Sequence, residues 1–555
     1  MAYIIKKKIK TNTYYYLVES KRVNGKSTFI WQKCIGTAEK IKKLYEKRAS
    51  AQKIRPQKVA YLEFGAVAAF YALQKRLSLM DIFNKHCNKR EQGCSVGEYL
   101  LVKILNRCIE PRAEYALDEW YQQTILPRLL GIPVKALSGQ NFWNNTTYLD
   151  EKAIDNIEND LIKVFIEKFN LAPENLLFDE SNFSVFFDAT NPSVLAQHGP
   201  SKAKRYDLRQ INLALLVTKE FGIPLKHHTY PGNINDKTEI KTLSRRIIET
   251  YKELNKVCNK LTLVFDKGNN QKGAIKEFDQ EDIFFVGALK PSENKELLNI
   301  PLDKFSDLFL SEKKVYKVHT IKKILFGKER TVVVYYSAPL YKKQLYGLHK
   351  RIAKKERELQ EFNFGKINQG RFKTYESCKK KLARMLKDKV IEKLFGYSLN
   401  AGEEGQLHFE YWLEDKEYKN RITQLGRNIL FTSCPTLSTR EIIEIYNGKN
   451  EVEDDFKKLK EDRSISTTPM FCWTDPKIIV HLFCCVMALM LIRLLQRELS
   501  LAKITMSPVQ FIEQLKKIKE MHLFYPGTLK SERIISECNK KQFQLLKVFE
   551  LEKYF

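Results

Sequence analysis

The order of strand-like and helical stretches between residues 175 and 289 limits the fold of this chain most strongly. Short runs rich in apolar, β-branched and aromatic residues favour strands, and the stretches between the later runs suit helices. The strand-like runs cover residues 175–179, 183–187, 211–218, 223–230, 261–266 and 283–289, with the longer helical stretch at 237–258. A meander of strands followed by alternating helices and strands predicts an α/β domain.

Two of these runs end in an aspartate, Asp179 and Asp266. The order of elements is that of a ribonuclease-H-like α/β fold, in which carboxylates from separate strands meet at one edge of the sheet. Before and after this α/β region, the residue composition of the chain changes at several points. We therefore predict a small β unit (1–55), a helical domain (56–172), the first part of the core (173–290), a β-rich and basic insertion (291–432), the last part of the core (433–500) and a basic helical tail (501–555).

The net charge indicates a polyanionic partner. The chain has 95 Lys and Arg residues against 66 Asp and Glu, a formal net charge of +29. Neutralising phosphates releases counterions and supplies most of the sequence-independent affinity for nucleic acid, so nucleic acid is the first candidate and an anionic membrane surface the second. The helical domain could read a DNA groove with its basic residues, but it lacks a helix-turn-helix signature and a purely structural role stays open.

The cysteines and the N-terminus predict a cytoplasmic protein. Eleven cysteines are scattered without the C-x-x-C spacing of zinc sites, which indicates reduced core residues. The N-terminus has no apolar run of the secretory type. The longest apolar stretch, 478–492, contains His481 and is short for a bilayer, so we predict a buried helix and no membrane association.

A charged stretch near residue 450 has the side chains most suited to chemistry. Tyr446, Lys449, Glu453 and Lys460 are spaced so that a helix could present them together. Seven residues turn about 700°, within about 20° of two full turns, so Glu453 and Lys460 share a face. That face offers a carboxylate for a cation and basic groups for phosphates. The alternative is a solvated, charge-rich helix without a binding role.

The start of this helical region can be located from capping patterns. Ser438 and Glu441 have the spacing of a capping box that opens a first helix. The dipeptide 447–448, Asn-Gly, is a break signal, and Asn450, with Glu453 three residues later, suits the N-cap of a second helix. Tyr446 could therefore lie on a different turn from Lys449.

Several further motifs occur in a fixed order along the chain. They are residues 107–112, 178–183, 207–210, 231–233, 265–269, 446–460 and 473–477, with His481 after the last. In combination they resemble those of the bacterial insertion-sequence transposases of the DDE class. The likeness is to the branch with a long insertion before the last carboxylate and a Y-x2-R-x3-E-x6-K signature, and it extends over most of the chain.

The resemblance implies three catalytic carboxylates. Asp179 takes the place of the family's first aspartate, Asp266 that of the second and Glu453 that of the last acidic residue. Glu180 and Ser181 stand where the family usually has threonines.

Asp188 is a second candidate for the first catalytic position. Residues 186–191 also resemble a strand that runs into an aspartate and a hydroxyl residue. Asp179 is preferred because its neighbours match the family better and its distance to the segment 197–202 suits the expected loop. Asp188 would then begin a polar turn.

The resemblance also implies a metal cofactor. Three carboxylates brought together repel one another unless hard cations neutralise them, which indicates Mg²⁺, with Mn²⁺ able to substitute. Two such ions about 4 Å apart can activate a water or a 3′-hydroxyl and stabilise the leaving oxygen at phosphorus. Asp179, Asp266 and Glu453 are the expected metal ligands.

The implied function is DNA transposition. Tyr446, Lys449 and Lys460 are the expected DNA-binding residues, and Lys449 replaces the family's Arg, which retains the charge but not a bidentate phosphate contact. The enzyme would bind the terminal inverted repeats of its element as a homodimer in a synaptic complex, cleave the ends and transfer the 3′ ends to target DNA, at the bacterial nucleoid. A nuclease of the same fold without strand transfer, and a DNA-binding protein with a decayed catalytic triad, stay open as alternatives.

Overall fold

A computed structural model describes residues 2–555 except 24–25, 50–55, 88, 90–91, 189, 203, 235, 259–260, 312–313, 389, 403–405, 462–464 and 527–530. The first elements form a small antiparallel sheet with one helix beside it, where a small β unit is predicted. They are β1 (Ala2–Ile9), β2 (Asn12–Val23), β3 (Lys26–Thr37) and α1 (Ala38–Ala49). The dipeptide 24–25, Asn-Gly, whose sequence predicts a hairpin turn within this β unit, lies outside the described residues.

The next region is mainly helical, as predicted. Its elements are β4 (Lys58–Glu63), α2 (Gly65–Leu77), α3 (Leu79–His86), α4 (Val96–Ile109), α5 (Leu117–Gln122), α6 (Leu126–Leu130), α7 (Gly139–Asn145) and α8 (Glu151–Phe169). The apolar faces of these helices are buried in the main hydrophobic core, which continues into the central sheet. The helical region is therefore packed on the sheet and shares its core.

The central sheet begins with the elements predicted from the order of strands and helices. They are β5 (Asn175–Val185), β6 (Arg209–Thr218), β7 (Pro224–Pro231), α9 (Asp236–Asn255), β8 (Thr262–Phe265), α10 (Lys272–Gln280) and β9 (Phe285–Ala288). In one respect the prediction was wrong: the runs 175–179 and 183–187 form a single strand, β5, because the polar residues between them remain extended and paired with β6.

The pairing of these strands brings two aspartates to one edge of the sheet. β5, β6 and β7 pair antiparallel, whereas β8 is parallel to β5, with Leu176 opposite Leu263, and β9 is parallel to β8. Asp266 immediately follows β8, and Asp179 lies two residues beyond the last β5 residue that pairs with β8. Because parallel neighbours run in the same direction, both side chains lie where β8 ends.

The region predicted as an insertion contributes to the central sheet. Its elements are α11 (Lys295–Leu298), β10 (Ser306–Ser311), β11 (Lys314–Leu325), β12 (Lys328–Tyr336), α12 (Ala338–Gly365), α13 (Tyr375–Met385), β13 (Phe395–Ala401), β14 (Leu407–Leu413), α14 (Asp415–Thr423) and β15 (Arg427–Thr432). Within the described residues the sheet has nine strands in the order β10-β11-β12-β15-β9-β8-β5-β6-β7. Four strands of this region, β10–β12 and β15, therefore extend the central sheet.

A smaller unit within this region has its own core. α12, α13, β13, β14 and α14 enclose a separate cluster of buried apolar side chains that includes Leu359, Phe362 and Leu382. The unit leaves and rejoins the sheet at one place, where the Ser337 amide donates a hydrogen bond to the Gly426 carbonyl at 2.8 Å. It is therefore a self-contained excursion from the β12–β15 hairpin.

The last elements complete both the sheet region and the helical region. They are α15 (Thr439–Asn447), α16 (Asn450–Lys460), α17 (Asp475–Leu501), α18 (Pro508–Lys516), β16 (Lys519–Phe524), β17 (Glu532–Ile535) and α19 (Lys540–Val548). The tail beyond residue 500 was predicted as helical, but it contains β16 and β17, and β16 pairs antiparallel with β4. The two partners are more than 450 residues apart, so no local pattern announces their pairing.

Helix α17 is the buried helix predicted from the apolar stretch 478–492. It is long and apolar enough to cross a membrane by composition, but almost all of its apolar stretch is buried inside the protein, against α4 and β7. The eleven cysteines all lie in the described part of the chain and have free thiols. Eight are buried, as predicted for core residues, whereas Cys34 is exposed, so for Cys34 that prediction was wrong.

The capping pattern at α15 is confirmed and the one at α16 was wrong. The Ser438 hydroxyl accepts from the Glu441 amide, and the Glu441 carboxylate accepts from the Ser438 amide, so both halves of the capping box are present. At α16 the N-cap position is Lys449 instead of Asn450, without a side-chain cap. The break at 447–448 does separate the two helices, so Tyr446 and Lys449 lie on different helices.

A buried ion pair attaches α16 to α17. The Arg493 guanidinium donates to Asp455 Oδ1 through Nε at 2.7 Å and Nη2 at 2.5 Å, and both side chains are buried. Burial raises the pKa of Asp455 to about 7, although the Arg493 charge opposes the shift. α16 also buries the apolar side chains of Val452, Phe456 and Leu459. Its other face is therefore held in a fixed orientation.

We expect Asp455→Ala to destabilise the protein by about 3–5 kcal/mol, because it removes the buried carboxylate closest to the Arg493 guanidinium and leaves only the half-exposed Asp454 beside it. Urea unfolding followed by circular dichroism measures the change. Glu253→Ala is the control, because Glu253 forms an exposed pair with Lys256 and its loss should change the free energy of unfolding by less than about 1 kcal/mol. Equal effects of the two substitutions would contradict the assignment.

Candidate functional site

Asp179 lies near the middle of β5, at the edge of the sheet where β8 ends. Its side chain is 15% exposed, and burial raises its pKa above the ordinary value, although the Lys449 and Lys202 charges oppose this. A carboxylate in such a place is costly unless a positive charge accompanies it. A positively charged group beside Asp179 would therefore lower the cost of burying its carboxylate.

Asp266 lies directly after β8, and its carboxylate is held by two groups. The Tyr446 hydroxyl donates to Oδ1 at 3.0 Å, and Lys449 Nζ lies 3.1 Å from Oδ2. Burial alone would raise the pKa of Asp266, but the Lys449 charge, the Lys267 amide and the Tyr446 hydroxyl together lower it below the ordinary value. Asp266 is therefore ionised in the folded protein at neutral pH.

Tyr446 lies near the end of α15 and is largely enclosed. Burial and the nearby Asp266 charge raise the pKa of its hydroxyl far above the ordinary range. The hydroxyl therefore remains protonated and continues to donate to Asp266. This contact is to a carboxylate, whereas the sequence predicted a contact with DNA.

The Lys449 ammonium lies close to all three predicted carboxylates. Its Nζ lies 3.9 Å from Asp179 Oδ2, 3.1 Å from Asp266 Oδ2 and 3.9 Å from Glu453 Oε1. The Lys449 side chain is only 11% exposed, whereas that of Glu453 is 52% exposed. One ammonium group thus sits among three acidic side chains from β5, the end of β8 and α16.

Lys460 is the last residue of α16, seven residues after Glu453, a spacing that places both on one helical face. Its ammonium donates to the Ser181 hydroxyl at 2.6 Å and lies 5.1 Å from the centroid of the Phe183 ring. Partial burial and the neighbouring Lys202 charge lower the pKa of Lys460 to about 8. α16 therefore runs along β5, with its two terminal lysines against the strand.

Asp188 lies apart from this cluster. It follows the end of β5, is exposed, and its Oδ1 accepts hydrogen bonds from the Thr190 amide at 2.8 Å and the Thr190 hydroxyl at 2.7 Å. These bonds lower its pKa. The structure places Asp188 in a polar turn and places Asp179 beside Asp266.

Sequence reasoning missed Lys202 as a member of the site. Its charge acts on both Asp179 and Lys460, and its ammonium donates to the Glu180 carbonyl on β5. Lys202 belongs to the segment 197–202, which was considered only for its length. The nearby motif 231–233 is explained by packing, since a Cβ on Gly232 would lie 1.9 Å from the Gln210 carbonyl oxygen.

The three carboxylates suit a hard divalent cation, although they are not gathered as ligands. Among the residues that the structure describes, no group of three or more His, Cys, Asp or Glu side chains is close enough to hold a metal ion. The Lys449 ammonium lies between the carboxylates and supplies the positive charge there. Carboxylate oxygens are the donor type that hard divalent cations prefer, so the chemistry of these side chains suits such an ion although their spacing here does not form a ligand set.

The geometry defines a mixed α/β protein with an acidic cluster at the edge of its sheet, and the comparisons give its family. The family model described as "Transposase DDE domain" matches residues 176–489, more than half of the chain, and this range contains every member of the cluster. The chain therefore belongs to the transposase DDE domain family.

Other comparisons are more distant. The chain is similar to the structure described as "Cryo-EM structure of piggyBac transposase synaptic complex with hairpin DNA (SNHP)", with 10% sequence identity and a TM-score of 0.36. The similarity covers 83% of this chain and 82% of that one. No curated protein matches the sequence.

We expect Lys449→Gln to lower the melting temperature at pH 7, because three carboxylates lose their shared counter-charge. The Lys449 charge holds the pKa of Asp266 below the ordinary 3.8, so its stabilisation is present above that pH and is lost as the pH falls through the lower folded-state value. The deficit should therefore shrink as thermal unfolding is measured from pH 7 down to pH 3. Lys457→Gln, an exposed change on the same helix, is the control, and an unchanged melting temperature for Lys449→Gln at pH 7 would contradict the analysis.

Proposed function

We propose that this protein is a DNA transposase of the bacterial insertion-sequence type, the branch with the Y-x2-R-x3-E-x6-K signature. It would bind the terminal inverted repeats of its element at the nucleoid, cleave the ends and transfer the 3′ ends to target DNA. The observation that carries this proposal is the position of Asp179, Asp266 and Glu453 around one ammonium group, inside the domain that matches the family.

We also propose that the core is ribonuclease-H-like. The support is the strand order β7-β6-β5-β8-β9, in which an antiparallel meander is joined by two parallel strands. In this arrangement the acidic residues come from the central strand β5, from the end of β8 and from α16, which packs against β5. The insertion before the last carboxylate then comprises β10–β15 and their helices.

Asp179, Asp266 and Glu453 would hold Mg²⁺, with Mn²⁺ able to substitute. When bound, such ions activate an attacking hydroxyl and stabilise the leaving oxygen of a phosphodiester. The Tyr446 hydroxyl fixes the orientation of Asp266 through its hydrogen bond. Asp455 and Arg493 position Glu453 indirectly, because they fix the helix on which it lies.

The basic residues of the site would contact the DNA backbone. Lys460 and Lys202 lie along β5 beside the carboxylates, where they can bind phosphates on either side of the cleaved bond. Lys449 would turn from the carboxylates to a phosphate when cations bind. The net charge of +29 supplies the general attraction to double-stranded DNA, and handling two ends together requires a homodimer.

We expect Asp266→Asn to reduce Mg²⁺-dependent cleavage of an inverted-repeat DNA end more than about 100-fold, since even outer-shell partners of a metal cost 10–100-fold. DNA binding, measured by gel shift, should be retained because the fold and the basic residues remain. Asp188→Asn is the matched control, because it changes the same atoms outside the cluster and should leave cleavage unchanged. Loss of cleavage in Asp188→Asn with normal cleavage in Asp266→Asn would refute the assignment.

A second assay with the same purified protein distinguishes a transposase from a nuclease and from a DNA-binding protein without activity. Incubation of the cut end with a supercoiled plasmid should give a joined product that depends on Mg²⁺. Cleavage without joining would support a nuclease of this fold. Binding without cleavage in the unmodified protein would support a DNA-binding protein with a decayed site.

We expect Lys449→Gln to tighten Mn²⁺ binding about tenfold, measured by calorimetry without DNA. The ammonium competes for the same carboxylates, and at about 4 Å it opposes each unit of the cation's charge by roughly 4 kcal/mol at an effective dielectric constant of 20; a tenfold change, about 1.4 kcal/mol, is a modest part of this. Lys457→Gln should bind Mn²⁺ like the unmodified protein. Weaker binding by Lys449→Gln would show that Lys449 supports the metal site.

A further inference from the structure

A cleft lies where the smaller unit with its own core, here called the inserted unit, joins the central sheet. The cleft consists of two cavities of about 310 and 1630 Å³, which share several lining residues. The lining comes from the segment 291–302, the end of β12, α12, the residues 390–394, α14 and the start of β15. No member of the acidic cluster lines either cavity, so the cleft is separate from the carboxylate site.

The smaller cavity is strongly basic. Three arginines, Arg351, Arg421 and Arg427, line it together with amide and apolar residues, and no carboxylate is part of its lining. Arg351 pairs with Asp388, which lies outside the lining. Within the described residues no carboxylate acts on the charge of either of the other two arginines. The cavity therefore holds an excess of positive charge.

The other buried arginines of the protein are fully compensated. Three besides Arg427 are buried in the part of the chain that the structure describes. Arg330 and Arg493 each pair with an aspartate, and Arg107 donates to four backbone carbonyls. Such partners are what a buried guanidinium normally has, because its charge is costly away from water.

The Arg427 guanidinium has fewer partners. Arg427 is 5% exposed, its Nη1 donates to the Ile300 carbonyl at 2.5 Å, and the guanidinium lies 5.2 Å from the centroid of the Phe305 ring. Its Nε is buried and has no hydrogen-bond partner. Burial accordingly lowers the pKa of Arg427. An anion in the cavity would supply both the missing acceptor and the missing counter-charge.

Arg421 on α14 shows the same pattern. Its Nε is also buried without a hydrogen-bond partner. Burial and the neighbouring Arg351 charge both lower the pKa of Arg421. Guanidiniums that repel one another remain close at lower cost when an anion binds beside them. Several guanidiniums in one cavity suit a ligand with several anionic oxygens better than a single carboxylate.

The larger cavity adds a mixed surface to this basic one. Its lining includes charged residues of both signs: Lys295, Lys393, Glu392 and Glu417. The Tyr336 and Tyr341 rings also line it, with centroids 5.9 Å apart. The cleft thus offers aromatic surface in addition to guanidiniums.

Hydrogen bonds between side chains and backbone fix the walls of the cleft. The Gly426 amide donates to Gln344 Oε1 at 2.7 Å, which ties the start of β15 to α12. Gln424 Nε2 donates to Asn299 Oδ1 at 3.0 Å, which ties the residues after α14 to the segment 291–302. The cleft is therefore formed before any ligand binds.

We propose that this cleft binds a small molecule that carries a diphosphate or triphosphate group. Guanidiniums bind phosphate oxygens through paired hydrogen bonds, and several of them match a ligand with more than one phosphate. The backbone phosphates of a DNA duplex lie on its outer surface, so they do not reach a guanidinium as enclosed as that of Arg427. Nucleotides and inorganic polyphosphates share the required chemistry, and the cleft is large enough for either.

Calorimetry with the full-length protein tests the proposal. The titrations use ATP and inorganic triphosphate separately, without DNA and with EDTA, so that neither DNA nor a metal at the carboxylates contributes. We expect saturable binding with one ligand per chain. An ATP affinity at least about tenfold above that of triphosphate identifies a nucleotide, whose base would lie against the tyrosines. Equal affinities identify an inorganic polyphosphate.

Substitutions locate the binding site. Arg421→Gln and Arg427→Gln should each weaken binding at least about tenfold, because each removes a charge-assisted contact. Arg384→Gln is the matched control, since Arg384 is exposed on α13 of the same unit and lies outside the lining, and its affinity should stay within about twofold.

Two further measurements keep the test decisive. Arg421→Lys retains the charge without the planar fork, so its affinity should lie between those of Arg421→Gln and the unmodified protein. Melting temperatures establish that the variants are folded. Arg421→Gln decides the test if Arg427→Gln does not fold.

Three results would overturn the proposal. The first is that the unmodified protein binds neither probe. The second is equal weakening by Arg421→Gln and Arg384→Gln, because binding would then reflect the net charge of +29 and not the cleft. The third is weaker binding of an inverted-repeat duplex by Arg421→Gln with no binding of either probe, which would assign the arginine to the DNA backbone. None of the three affects the proposed transposase activity, which is measured with DNA and metal.

Discussion

The structure of the site depends on one electrostatic constraint, the repulsion among acidic side chains that the fold forces together. β5 and the end of β8 bring two aspartates to one place, and α16 adds a glutamate. The Lys449 ammonium balances all three, at no more than 3.9 Å from each. The lysine has a flexible stem, so its ammonium can leave the three carboxylates without a change of the backbone.

The surrounding core supplies the rigidity that this balance requires. α16 is held against β5 on one side and is attached to α17 on the other by the Asp455–Arg493 pair. α17 is itself buried in the middle of the protein, between the sheet and the helical region. The position of the half-exposed Glu453 thus depends on α17, a buried helix that contributes no group to the acidic cluster. Stability and site geometry are therefore coupled in this chain.

Part of this arrangement could be predicted from the sequence. Strands buried on both faces are continuous apolar runs, so β6, β8 and β9 were recognisable, and the aspartates at or near strand ends followed from them. The seven-residue spacing of Glu453 and Lys460 predicted that both share one face of a helix. The pairing of β4 with β16 and the entry of β10–β12 into the sheet were not predictable, because they join distant segments whose local patterns are ordinary. Arg107 was likewise noticed only as part of a motif, since its role is to bind carbonyls more than 350 residues away.

The two ends of the inserted unit lie next to each other, at the hydrogen bond between Ser337 and Gly426. This closeness affects which changes of sequence the chain can accept. The excursion between them starts and finishes at adjacent points of one hairpin, and it has its own apolar interior. Lengthening, trimming or exchanging it would alter neither the register of β12 with β15 nor the distance between the sheet edge and α16. The inserted unit is thus free to diversify as a module. The acidic cluster keeps its geometry, because that geometry is set by β5, β8 and α16, which lie outside the unit.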